Sequence, residues 1–187
     1  MPNSTQQQKH SPSPWLLGFA VLALVILVPR LPVLSNKTLH ASSLPAVETP
    51  YLLVTFGFAG CGTICPGQLA RLQEVVDAAN NVDPIVSAAF VNMNASGTAA
   101  VTEYVQALST GVIAVSPSRG DLQELLNEFG VQYYGDTESN GPIEHRGDVF
   151  LLSRAGEDWN LIQSFPGDSL NIKQAIAALD TPPSSEF

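Results

Sequence analysis

The chain has 187 residues, 45% of them hydrophobic, and a formal charge of −9 from 17 acidic and 8 basic side chains. That length fills one ordinary globular core and leaves residues over for tails. A net negative charge with no basic stripe repels phosphate backbones, which excludes nucleic acid as a partner.

The N-terminal part differs in character from the rest. A polar tail over 1–14 leads into an unbroken apolar run from Trp15 to Val28. Continued through Pro29, Arg30 and Pro32 to Leu34, the run reaches about 20 residues, the length of a membrane span. The shorter core also suits a signal peptide, and Ala41-Ser42-Ser43 offers small residues for a cut, at some distance. Residues 15–34 are therefore expected to be a transmembrane anchor, with a cleaved signal segment as the alternative. A buried core helix fits less well, because the segment is apolar on all sides and lies between polar flanks. Both secretory readings put the remaining chain in the periplasm or another extracytoplasmic space. Lys9 alone precedes the run while Arg30 and Lys37 follow it, so positive charge does not fix the orientation. Residues 35–50, rich in Ser, Thr, Ala and Pro, read as a linker, and 181–187 as a frayed C-terminal tail.

Tyr51 to Gly57 is a short, almost wholly apolar run, expected as a strand buried on both faces. Two cysteines follow it at once. Pro66 then suits a first helical turn, and Leu69, Leu72, Val75, Val76 and Ala79 recur at helical spacing up to Asn80-Asn81. Pro84 to Val91 reads as a second buried strand, 99–108 as a helix turning Val101, Tyr104, Val105 and Leu108 inward, and Gly111 to Val115 as a third strand. Asp121 with Glu124 resembles a capping box for a helix that Gly130 ends. Asp148–Ser153 and Asn160–Phe165, joined by 154–159, predict a hairpin, and a last helix covers 169–179. This alternation predicts a single α/β domain over 51–180, a thioredoxin-like fold with a central mixed β-sheet flanked by helices.

Cys61 and Cys65 are the only cysteines, placed at the mouth between a buried strand and a helix. Backbone N–H groups and the positive helix end favour a thiolate there, either as a nucleophile or as a soft-metal ligand. A structural disulfide is the plain alternative, but a bond between such near neighbours closes too short a loop to restrict the unfolded chain much. Of three histidines, His10 and His40 fall in the tail and linker, leaving His145 inside the expected domain, in a loop over 135–147. In a thioredoxin-like sheet the strand after that loop lies beside the strand that ends at the cysteines. Two sulfurs and one imidazole suit copper, Cu(I) through the thiolates and Cu(II) with the histidine added; structural zinc would want a fourth ligand. Without further support His145 reads equally as a solvated loop histidine. Met93 could lend a thioether but reads more readily as core filler. Asp136, Glu138 and Glu144 form either an electronegative rim or an ordinary solvated loop.

These residues carry a resemblance. Phe56-Gly57-Phe58, then Cys61-Gly62-Thr63-Ile64-Cys65-Pro66, and then His145 introducing Asp148-Val149-Phe150-Leu151-Leu152-Ser153-Arg154-Ala155-Gly156 are similar to the pattern of the Sco/SenC family. The resemblance implies a membrane-tethered, thioredoxin-fold metallochaperone whose two cysteines and histidine bind copper. It further implies a part in building the binuclear copper centre of cytochrome c oxidase, with the copper-site subunit or another copper chaperone as partner. The chain departs from the pattern in three places. Gly62-Thr63 stands where the family has Pro-Asp, residues 92–98 lack the family's two acidic residues, and no hairpin motif precedes Tyr51.

Two other functions compete. A thiol-disulfide oxidoreductase would use the same cysteine pair, though such enzymes carry a two-residue spacer where this chain has three. A binding module that has lost its metal and acts in assembly or sensing fits the same fold. The metal-ligand reading of Cys61, Cys65 and His145 favours a metallochaperone over an enzyme.

Overall fold

The computed structural model describes residues 37–40, 42–81, 85–167 and 170–179. The expected anchor at 15–34 and the two tails lie outside these residues. No helix among the described residues is long and apolar enough to cross a membrane.

Among the described residues twelve elements follow in order: β1 (Lys37–Leu39), β2 (Tyr51–Gly57), α1 (Ile64–Ala79), β3 (Val86–Asn92), α2 (Thr98–Leu108), β4 (Val112–Val115), α3 (Arg119–Phe129), β5 (Tyr133–Tyr134), β6 (Glu144–His145), β7 (Val149–Ala155), β8 (Asp158–Phe165) and α4 (Ile172–Leu179). Six strands form one sheet in the order β1-β8-β7-β2-β3-β4, and β5 pairs with β6. β2 runs parallel to β3 and antiparallel to β7, which makes the sheet mixed as expected.

Pleating sorts the core. Leu53 faces a cluster with Leu69, Leu72 and Val75 of α1, Val101 and Val105 of α2, and Ala175 and Leu179 of α4. Its neighbours Leu52, Val54 and Phe56 face the other side, against Leu122, Leu125, Leu126 and Phe129 of α3. β2 is thus covered on both faces, as its unbroken apolar run requires.

Several boundaries differ from the sequence expectations for identifiable reasons. α1 begins at Ile64, two residues before Pro66, which still falls in the first turn as expected; N–H groups there have no helical partner, and a missing one costs nothing. The cap of α3 is Ser118 rather than Asp121: its hydroxyl accepts from the Asp121 N–H at 3.3 Å and donates to the Asp121 carboxylate at 2.7 Å. Gly130 ends that helix in the left-handed region, at φ 65°. The hairpin turn is tighter than expected, with Gly156 at φ 66° between β7 and β8, and Arg154 and Trp159 are strand residues stacked at 4.7 Å. Part of the expected linker belongs to the domain. β1 pairs with β8, placing Leu39 opposite Trp159, and both Leu39 and Leu44 are buried. A periodicity argument cannot see a strand of three residues.

Phe56 packs edge-on against Phe129 at 5.2 Å and Phe150 at 6.0 Å and is 1% exposed. Phe56→Ala is expected to cost about 3–5 kcal/mol, read from denaturant midpoints; a loss below about 1 kcal/mol would show that this face can collapse onto the gap.

Candidate metal and redox centre

β2 delivers the chain to the cysteines, and α1 starts between them. Cys61 precedes α1, and its sulfur accepts the backbone N–H groups of Thr63 and Cys65, with the Thr63 hydroxyl at 3.8 Å. The sulfur therefore serves N–H groups that a helix start leaves unpaired, a duty that Thr63 itself does not perform. Cys65 lies inside the first turn of α1 and is wholly buried. Both are free thiols within hydrogen-bonding reach of each other.

Their surroundings make the two sulfurs unequal. Burial pushes the Cys61 thiol up, but the Cys65 thiol and the helix-start N–H groups together outweigh it, and the net shift is downward. Burial also pushes Cys65 up, and donation to Cys61 and repulsion from its charge add to this, leaving Cys65 at about 12. Of the two, Cys61 has the greater thiolate character and is the better placed to act as a nucleophile, while Cys65 holds its proton.

Tyr104 completes this end of the site. Its hydroxyl donates to the Cys61 carbonyl at 2.6 Å and lies within bonding reach of Cys65, while burial followed by repulsion from the two sulfurs raises its own pKa. Helical spacing identified Tyr104 only as an inward-facing residue. Its hydroxyl role depends on where α2 crosses the cysteine loop, which no local pattern reveals.

His145 lies on β6, paired with Tyr133, rather than in an open loop. Its Nδ1 accepts the Gly147 N–H at 3.0 Å, and its Nε2 is buried without a partner. Burial lowers its pKa, partly offset by Asp148, so the ring is neutral at pH 7. Phe58, Cys61, Thr63 and Ile64 share one open cleft, of about 250 Å³, with Pro142, Ile143, Glu144 and His145. β7 does lie beside β2, so both halves of this cleft open at one end of the sheet. Even so, no group of three His, Cys, Asp or Glu side chains among the described residues is gathered closely enough to hold a metal ion. In donor chemistry the set fits copper: two sulfurs and an imidazole nitrogen with no protein partner.

The remaining candidates separate. Met93 is wholly buried in the core beneath α3. Asp136 accepts the Glu138 N–H at 2.8 Å, and Glu138 pairs with Arg119 at 2.7 Å on the surface. Of the three acidic residues only Glu144 lines the cleft. Gln68 went unremarked in the sequence; it is a buried α1 residue whose amide donates to the Gly147 carbonyl.

The SCO1/SenC family model matches residues 34–181. The chain belongs to the SCO1/SenC family. The human mitochondrial SCO1 homologue is 23% identical over 114 residues, which cover 57% of this chain and 38% of the human protein. The chain therefore spans well under half the length of that relative. Among solved structures, yeast Sco1 with copper bound is 12% identical, covers 73% of this chain and 79% of its own, and superposes with a TM-score of 0.61. BsSco, described as a member of the Sco family of cytochrome c oxidase assembly proteins and as having a disulfide switch, is 14% identical. It covers 80% of this chain and 94% of its own, at a TM-score of 0.57. At these identities the structural likeness establishes the thioredoxin-like Sco fold.

Two outcomes are expected. Iodoacetamide at pH 7.5 labels Cys61 ahead of Cys65, as peptide mass spectrometry would read; preferential labelling of Cys65 would reverse the assignment of nucleophile. Tyr104→Phe loses the bond to the Cys61 carbonyl and about 1 kcal/mol of stability, measured by denaturant unfolding.

Proposed function

We propose that this chain is a copper-binding metallochaperone that assists assembly of the binuclear copper centre of cytochrome c oxidase, with Cys61, Cys65 and His145 as its ligands. The observation that carries the reading is the shared cleft. The nucleophilic sulfur and an imidazole come from distant parts of the sequence to one opening, with the second thiol hydrogen-bonded to the first. Family membership and the copper-bound yeast relative support copper as the cargo. Reduced, the two sulfurs provide a soft pair for Cu(I); His145 adds the borderline nitrogen that Cu(II) prefers. Cys65 must surrender its proton when a metal arrives, so binding releases protons. The partner is the copper-site subunit of the oxidase or another copper chaperone. Residues 15–34 hold the domain at a membrane, facing the periplasm or another extracytoplasmic space, a reading supported by their apolar run.

A second reading has its own support. A low-pKa sulfur beside a protonated partner is the arrangement of a thiol-disulfide reductase. The Cys61 thiolate would attack a target disulfide, and the Cys65 thiol would then displace the reduced target, closing the Cys61–Cys65 bond with two electrons passed to the target. BsSco's disulfide switch supports this chemistry, and one protein can perform both tasks on one copper site.

The full chain, purified in detergent and reduced, is expected to bind about one copper per molecule. His145→Ala should weaken Cu(II) binding by more than about tenfold, the scale on which even supporting residues of a metal site act, while Cys61→Ala and Cys65→Ala should lose Cu(I). Failure of the wild type to take up either ion would sink the copper reading. Reduction of an oxidised copper-site peptide at the wild-type rate by His145→Ala would favour the second reading.

A further inference from the structure

We propose that Gln68 is the positioning residue of His145, holding the imidazole in a metal-free form in which neither ring nitrogen offers a free lone pair. The inference rests on the reading of His145 as a ligand.

Gln68 lies on α1 three residues after Cys65 and is 3% exposed, among Leu69 and Leu72 of the same core-facing helix. A buried amide is costly unless its polar atoms are used. Here the Nε2 donates to the Gly147 carbonyl, whereas Oε1 is buried without a partner. The one bond that Gln68 makes therefore goes to the segment that follows His145. Gly147 in turn donates its N–H to His145 Nδ1 at 3.0 Å, so a single residue is gripped from both sides.

The grip is tight. Gly147 sits at φ 64°, and a Cβ on it would come within 2.7 Å of Gln68 Nε2 and 2.9 Å of Ile64 Cδ1. Gly167 lies against the same Gly147 carbonyl, where any Cβ would overlap it. Glycine at both positions lets three segments meet at this one residue, and the meeting fixes the residue that addresses the imidazole.

The consequence is chemical. An Nδ1 that accepts a hydrogen bond carries no proton, so the neutral ring keeps its proton on Nε2. A metal approaching Nε2 must drive that proton to Nδ1, which then faces the Gly147 N–H donor to donor. A metal approaching Nδ1 must displace the Gly147 N–H outright. Either way ligation gives up a bond that exists only in the metal-free form, and an interaction confined to one state opposes the other. Gln68 thus holds the carrier toward release, and a looser grip favours capture.

The test uses the full chain in detergent with ¹⁵N-labelled histidine, His145 being assigned by its absence from His145→Ala. In the metal-free wild type, nitrogen NMR should show His145 with Nε2 protonated and Nδ1 bare. Gln68→Met keeps length without a donor, and Gln68→Glu at pH 8 keeps shape without a donor, so misfolding of one leaves the other to report. Both should show mixed, exchange-broadened tautomers and bind Cu(II) about fivefold more tightly, with Cu(I) affinity changed less than about twofold because the sulfurs are untouched. A wild-type ring protonated on Nδ1, variants with the wild-type tautomer, or variants with unchanged or weakened Cu(II) binding would overturn the proposal. Should the wild type bind neither copper ion, the copper reading fails by itself, and the tautomer comparison still decides the role of Gln68.

Discussion

The site depends on the antiparallel pairing of β2 with β7, from Tyr51 opposite Ser153 to Thr55 opposite Val149. An antiparallel pair puts the end of one strand beside the start of the next. β2 ends where the cysteine loop begins, and β7 begins just after His145, so this register brings Cys61 and His145 to one end of the sheet. A slip of one residue would turn Leu52, Val54 and Phe56 from the core beneath α3 to the opposite face. The hydrophobic pattern that secures the fold therefore also secures the juxtaposition of sulfur and imidazole.

Much of this was legible in the sequence because it is written in periodicity and in rare residues. The apolar runs of β2, β3 and β7 and the helical spacing of Leu69, Leu72 and Val75 identify the sheet and its main helix. With two cysteines in the whole chain, their place between strand and helix identifies the reactive end. Short or irregular elements escaped. β1, β5 and β6 have two or three residues each, too few for any period, and exist because a neighbouring strand offers unpaired backbone groups. The Ser118 cap is hidden in the sequence because Asp121 and Glu124 repeat the same spacing one turn later.

The residues that tune the site were harder still. Tyr104 and Gln68 occupy inward positions of amphipathic helices, where sequence logic asks only for bulk. What distinguishes them is a single polar atom meeting a backbone group from a distant segment, the Cys61 carbonyl for Tyr104 and the Gly147 carbonyl for Gln68. Such contacts follow from how helices cross the sheet, a tertiary property. A polar atom on an otherwise apolar face is nonetheless a signal, since burying it without a partner would be costly.

On the proposed function, the inequality of the two sulfurs bears on how one pair would serve both metal and redox chemistry. Cys61 has its pKa lowered by the Cys65 thiol and by N–H groups that any helix start provides, so its readiness costs the fold little. Cys65 is kept protonated by full burial and by the charge of Cys61, and only an event that removes that charge as a negative centre can free its proton. A bound copper ion would do so by neutralising the thiolate, and a disulfide would do so by consuming it. Burial of the second sulfur therefore acts as a common threshold for both reactions. It keeps the pair from charging twice in solution, and on the proposed function it would leave His145, outside that threshold, to distinguish a metal from a disulfide.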